Sequence, residues 1–255
     1  MSETVEPYLA GRLGSDRVYI RSRTLRTVGI GESVIDSRIA DLMARSNPTV
    51  GLAAHLGQVD MRITARAGSA QRADQMLDEV ADDLRARLGD FIYAEGDVTL
   101  EAAVAEALAR AGHTLALVET NTGGEVAARL RSAPGGDQAA PSSLVVASLA
   151  EMGPGAPADT ASQAGAEWAA VTRLAAARAN LDVSLALAVC GVMDPGAGPY
   201  GALRGETYVA IATPAAVVST RLDVGGVDEL ARRWVGNGAL NFLRQWLASA
   251  GRANQ

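Results

Sequence analysis

The stretch that most constrains the fold runs from Thr114 to Gly124, T-L-A-L-V-E-T-N-T-G-G. Thr114–Val118 is short, apolar and bounded by the Gly112-His113 break, so it reads as a buried strand rather than a helix. A polar segment, Glu119-Thr120-Asn121-Thr122-Gly123-Gly124, follows it, and Glu125–Leu130 then has helical composition. Open α/β sheets bind ligands at such loops, between a strand's C-terminal end and a helix N-terminus. The helix-start N–H groups suit an anion, and the two glycines allow close backbone approach. The same Thr-Gly-Gly sequence also reads as an ordinary helix start, because hydroxyls cap helices. Local pattern alone leaves both readings open.

The rest of the chain narrows the class. A length of 255 residues suggests one or two domains. Net charge is −6, which argues against nucleic-acid binding driven by bulk charge. Cys190 is the single cysteine, so no intrachain disulfide forms and a cytoplasmic location is expected. No apolar run approaches the roughly 20 residues needed to span a membrane, and Met1–Glu6 lacks an apolar signal core. All 23 basic residues are arginine; the chain contains no lysine.

In chain order, Met1–Asp16 reads as a short amphipathic helix and Arg17–Val28 alternates as a strand. A helix is expected from Ser33 or Glu32 to about Arg45, ended by Asn47-Pro48. Val50–Ala54 and Val59–Ala67 read as strands and Ala70–Leu88 as a helix. This is a compact α+β module over residues 1–88, with Leu88–Thr99 as a junction. A second domain over 97–255 then alternates helices with apolar strands at Thr114–Val118, Leu144–Ala147, Leu185–Val189, Thr207–Thr213 and Val217–Val224. Helices are expected at Leu100–Ala111, Thr160–Ala179 and Val227–Ala250. Continuous apolar strands between helices predict a three-layer α/β/α domain with a mostly parallel sheet.

The glycine loop resembles the A-E-S-x-T-G-G motif of the CinA C-terminal domain, the nicotinamide-nucleotide amidohydrolase family. Glu119, Thr122, Gly123 and Gly124 match, and Thr120 stands where that family has its nucleophilic serine. The first module is similar to the KH-like middle domain of CinA proteins at Arg23-Thr24-Leu25-Arg26, Gly29-Ile30-Gly31-Glu32-Ser33 and Asn47-Pro48-Thr49-Val50. Leu88-Gly89-Asp90-Phe91-Ile92-Tyr93 resembles the family's linker. No GXXG loop with basic flanks is present, so the KH-like module is not read as an RNA binder. Arg62 and Arg66 read as solvated surface. The N-terminal molybdopterin-binding-like domain of full-length relatives is not part of the resemblance.

The family's second glycine loop matches partly at Cys190–Gly198, through Gly191, Pro195, Gly196 and Gly198. Cys190 and Asp194 replace a threonine and a glycine. Active relatives resemble a Ser-Tyr-Lys amidase, in which a neutral lysine takes the serine's proton. Carried over without a gap from Pro134-Gly135, the tyrosine position is Ala147, the adjacent serine is Ser148 and the lysine position is Met152. Neither Ala147 nor Met152 can move a proton, and arginine is a poor general base. The resemblance therefore implies a homologue that binds nicotinamide mononucleotide or a related small molecule with little or no deamidase activity. Its ligand contacts would be Glu119, Thr122, Gly123, Gly124, Ser148, Gly191, Pro195, Gly196 and Gly198. Two alternatives stay open: an active deamidase with Thr120 as nucleophile, and a protein-interaction module. A homodimer is expected, with no metal, no cofactor, no membrane contact and no nucleic acid.

Overall fold

The computed structural model describes residues 18–159, 162–191, 205–226 and 228–253. The helix expected over Met1–Asp16 and the loop residues Pro195, Gly196 and Gly198 lie outside the described residues. The chain divides between Asp97 and Val98 into two compact units.

The first unit contains β1 (Tyr19–Val28), α1 (Glu32–Met43), β2 (Thr49–His55), β3 (Gln58–Ala67), α2 (Ala70–Leu88) and β4 (Ile92–Glu95). Its antiparallel sheet has the order β2-β3-β1-β4. The alternation in β3 sorts its side chains. Val59, Met61, Ile63 and Ala65 are buried against Ile35, Ile39 and Leu42 of α1 and Leu77, Val80 and Leu84 of α2. Asp60, Arg62, Thr64 and Arg66 point to the other face, as a period of two requires. Ser69 caps α2, its hydroxyl accepting from the Arg72 N–H at 3.2 Å.

Residues 88–99, read from sequence as a junction, carry a short 3-10 turn and the fourth strand. β4 pairs with Leu25–Thr27 of β1. The Gly96 N–H donates to Thr24 O at 2.9 Å, and Arg26 Nε donates to Gly96 O at 2.6 Å. A four-residue strand is too short for an alternation signal, and a tertiary partner makes it a strand.

The second unit contains α3 (Leu100–Arg110), β5 (Leu115–Glu119), α4 (Glu125–Ser132), α5 (Gly136–Ala139), β6 (Ser142–Val145), α6 (Gln163–Arg178), β7 (Leu185–Gly191), β8 (Thr207–Ala212), β9 (Val217–Leu222) and α7 (Glu229–Ala253). The sheet order is β6-β5-β7-β8-β9. The strands that place the glycine loop, β6, β5 and β7, run parallel. β8 and β9 extend the sheet antiparallel. That reversal is not visible in the sequence, because a strand buried on both faces reads as the same apolar run in either direction.

The two faces of this sheet are built from different side chains. Ala116, Val118, Ala186, Ala188, Cys190, Ala210 and Ala212 pack against Ala166, Ala169, Ala170, Leu174 and Ala177 of α6. Small residues on both sides let the helix lie close to the sheet. Leu115, Leu117, Leu185, Leu187, Val189, Val209 and Ile211 alternate with them and are fully buried. α3, α4 and α7 pack on one another, and α7 also meets β8 and β9. Thr99 caps α3 and Ser162 caps α6. Among the described residues no helix is long and apolar enough to cross a membrane.

Candidate functional site

The glycine loop leaves β5 at the sheet's carboxyl end, between β6 and β7. Pairing continues past the strand: Thr120 N donates to Val189 O at 3.0 Å, and Val146 N donates to Glu119 O at 3.0 Å. Side chains alternate across this end of the sheet, so Glu119 and Thr120 take opposite directions.

Thr120 is 1% exposed. Its hydroxyl donates to Gly191 O at 3.0 Å and accepts from Gly191 N at 3.0 Å. A side chain thus stands in for one more backbone rung between β5 and β7. Both ordinary hydrogen-bonding roles of the hydroxyl are filled. Gly191 must be glycine here: a Cβ on it would lie 2.4 Å from Asn121 Nδ2 and 2.8 Å from Thr207 Oγ1.

Glu119 is fully buried. Its Oε2 accepts from Thr122 Oγ1 at 2.6 Å and from Val126 N at 3.1 Å, and its Oε1 accepts from Ala127 N at 2.9 Å. The carboxylate therefore caps α4 from inside the sheet, where the helix dipole favours a negative charge. Two of the helix-start N–H groups that the sequence offers to an anion are occupied by this internal one. Gly123 and Gly124 turn the chain with φ of +64° and +88°, values only glycine adopts readily. A Cβ on Gly123 would lie 3.1 Å from Arg232 Nη1, so the Arg232 guanidinium of α7 rests on the loop.

Beyond the ends of β6, Ala147 is exposed, and Ser148 Oγ accepts from Ala150 N to cap a 3-10 turn over Leu149–Met152. Met152 packs against the apolar cluster beneath α6. The strand expected through Ala147 stops at Val145, with one further ladder bond at Val146. Cys190, beside Gly191, faces that same cluster, and burial pushes its thiol up to about 12.

Several polar groups that the sequence does not single out converge beside the loop. Asn121 Nδ2 donates to Thr207 Oγ1 at 2.8 Å. Arg129, 7% exposed, donates from Nη2 to Glu101 Oε2 at 3.1 Å and to Asn237 Oδ1 at 2.9 Å. Arg233 Nη1 lies 3.6 Å from Glu125 Oε1. Among the described residues, the buried polar side-chain atoms with no hydrogen-bond partner are Asp60 Oδ1, Asn121 Oδ1, Glu125 Oε1, Arg129 Nε and Nη1, and Arg232 Nε. All but the first belong to the loop, to α4 or to the start of α7. Arg232 is remote in sequence, and no local pattern marks it.

A glycine loop at the carboxyl ends of parallel strands stands where open α/β sheets commonly bind ligands, and the architecture is that of an α/β unit with a mixed five-stranded sheet. Residues 97–247 match the CinA C-terminal domain, and residues 22–94 match the damage-inducible protein CinA KH domain. The chain belongs to the CinA family. It is 36% identical over 217 residues to a CinA-like protein of Prochlorococcus marinus, covering 84% of this chain and 50% of that protein. It is 36% identical over 231 residues to a CinA-like protein of Thermomicrobium roseum, covering 91% of this chain and 54% of that one. The chain thus spans about half the length of these curated relatives. Among solved structures, a CinA superfamily protein of Klebsiella pneumoniae matches with a TM-score of 0.50 at 22% identity, over 59% of this chain and 96% of that one. The competence damage-inducible protein A of the same species matches with a TM-score of 0.50 at 25% identity, over 58% and 95%.

Proposed function

We propose that the second unit is a nicotinamide-nucleotide amidohydrolase homologue that binds a nucleotide-like small molecule and has lost most or all deamidase activity. The observation that carries this reading is the Thr120 hydroxyl, bonded in both directions to the Gly191 backbone. A nucleophile must release its proton to a base. Here the donated proton goes to a backbone carbonyl, which cannot keep it. The positions that hold a tyrosine and a lysine in active relatives are the exposed Ala147 and the packed Met152. No lysine exists elsewhere in the chain to replace the base.

Binding is supported by a different set of groups. The unpartnered Asn121 Oδ1 and Arg232 Nε belong to the loop and to the arginine that rests on Gly123, and buried polar groups without partners are costly unless something satisfies them. The ligand on this reading carries an anionic group met by Arg232 at Gly123.

The test uses nicotinamide mononucleotide with the purified chain. The expected result is a rise in melting temperature on adding the compound, with no ammonia release above a Thr120→Ala control. Ammonia release lost in that control makes the chain an active amidase and ends the proposal. Absence of any thermal shift, together with wild-type behaviour of Arg232→Gln, removes the binding half.

A further inference from the structure

We propose that Arg129 is a positioning residue of the glycine-loop site: it holds α7 at the height and rotation that set Arg232 on Gly123. The proposal rests on the reading of Arg232 as the group that meets an anionic ligand.

Taking a guanidinium out of water is costly, and a buried ion pair is often no more stable than an apolar contact of the same size. Arg129 is nonetheless buried, among three helices. From α4 its Nη2 donates to Glu101 Oε2 of α3 at 3.1 Å and to Asn237 Oδ1 of α7 at 2.9 Å. Its Nη1 lies 3.9 Å from Glu125 Oε1, one turn earlier on its own helix. Arg129 Nε and Nη1 and Glu125 Oε1 have no hydrogen-bond partner. Incomplete bonding makes this cluster a weak source of stability. It is a strong source of direction. Hydrogen bonds depend on angle as well as distance, whereas apolar contact is non-directional. One group that bonds α3 and α7 at once accepts few arrangements of the two helices, and an aliphatic side chain in its place would let α7 slide and turn.

The packing of α7 shows how this reaches the loop. Gly236 lies within α7, where glycine is disfavoured relative to alanine. A Cβ on it would stand 3.0 Å from Arg129 Nη1, 3.7 Å from Glu125 Oε1 and 3.9 Å from Val126 Cγ2. α7 therefore crosses the start of α4 at Gly236, and the Arg129 guanidinium occupies the place where a side chain would begin. Arg232 precedes Gly236 by four residues, so the two lie on one face of α7, about one turn apart. Gly123 stands just before α4. The two contacts run in step: Gly236 against Arg129, and one turn toward the start of α7, Arg232 against Gly123. Moving or turning α7 at Gly236 carries Arg232 with it. Arg129 thus acts through Arg232 and does not touch the ligand.

The test uses the full chain and two readouts. The first needs no ligand. The amide NMR signal of Gly123 reports the guanidinium that rests on this residue, and Arg232→Gln moves it. Arg129→Met, which keeps the length of the side chain and removes its directional bonds, is expected to move the signal as well, and to change it no further when combined with Arg232→Gln. The second readout is the affinity for nicotinamide mononucleotide by calorimetry. Arg129→Met and Arg232→Gln are each expected to weaken binding by about tenfold or more, the scale of one hydrogen bond to a charged group. The double variant is expected to bind no more weakly than Arg232→Gln alone, whereas independent residues give losses that add. Gly236→Ala presses on the same contact from α7 and keeps both arginines, so it decides if Arg129→Met fails to fold. A Gly123 signal unmoved by Arg129→Met and by Gly236→Ala, or affinity losses that add in the double variant, overturns the proposal. If the wild type binds no nicotinamide mononucleotide, the proposed binding function falls, and the Gly123 signal still decides whether Arg129 places Arg232.

Discussion

Replacing Thr120 with valine keeps the shape of the side chain and removes one hydroxyl. That hydroxyl makes two 3.0 Å bonds to the carbonyl and N–H of Gly191. Both groups are buried, so the valine variant leaves a donor and an acceptor unpaired. Each costs about 1–3 kcal/mol. Valine's second methyl returns part of this, and a net loss of about 2–4 kcal/mol is expected. Thr120→Ser keeps the hydroxyl and deletes one buried methyl, at about 1 kcal/mol. The assay is intrinsic fluorescence during thermal unfolding. Trp168, Trp234 and Trp246 all lie in the second unit and none in the first, so the signal follows the unit that holds the site. The valine variant is expected to melt on the order of 10 °C lower, and the serine variant about 3 °C lower. A valine variant as stable as wild type, or a serine variant that falls as far as valine, refutes the claim that Thr120 acts as a backbone rung.

Glu119→Gln removes the negative charge beneath α4 and cannot match all three of its hydrogen bonds; urea titration followed by tryptophan fluorescence should show a loss of about 1–3 kcal/mol. Gly191→Ala forces a Cβ to within 2.4 Å of Asn121 Nδ2, so the same titration should show a loss of at least about 1–3 kcal/mol, whereas Gly51→Ala, with open space around it, should stay within about 1 kcal/mol of wild type. Cys190 gives a pH dependence: burial raises its thiol from 9.0 to about 12. The folded state therefore holds this proton more tightly than the unfolded chain. Its contribution is constant below pH 9 and is lost between 9 and 12, by up to about 1.4 kcal/mol per pH unit. A melting-temperature profile that drops there in wild type and less in Cys190→Ala checks this.

The parts of the fold that read clearly from sequence are those whose pattern is local. Val59–Ala67 alternates because one face is buried, and Thr114–Gly124 shows a strand, a loop and a helix start in one line. The parts that did not read depend on distant partners. β4 is a strand because Leu25–Thr27 is beside it. The direction of β8 is set by its register on β7. α5 sits where a Cβ on Gly136 would lie 1.8 Å from Leu130 O, a contact that no periodicity reports. At the site, the glycine loop was legible and the dual use of Thr120 was not, since it depends on Gly191. Glu119 illustrates the same limit from the other side. Its place in a motif suggests ligand contact, while two bonds from the first turn of α4 and one from the Thr122 hydroxyl make it a helix cap.

Restoring the residues of active relatives tests whether chemistry was lost by substitution alone. Ala147→Tyr adds a ring at an exposed position and costs little packing. Thr120→Ser removes the methyl that restricts χ1, so the hydroxyl can rotate away from Gly191 and reach a substrate. Met152→Lys is the demanding change, because Met152 packs against the cluster under α6. Partial burial there lowers a lysine's pKa, which is the condition a general base requires near neutral pH. The stem can still lie along the apolar surface with its amine toward the loop. The three changes are expected to act as a unit: the triple variant should release ammonia from nicotinamide mononucleotide about 10²–10⁴-fold faster than Thr120→Ser alone, the range a positioned base contributes. Equal rates in the single and triple variants would show that no base operates from position 152. A folded triple variant that neither binds nor turns over the compound would place the loss in the pocket itself, in the groups around Arg232 and Gly123, rather than in the three side chains.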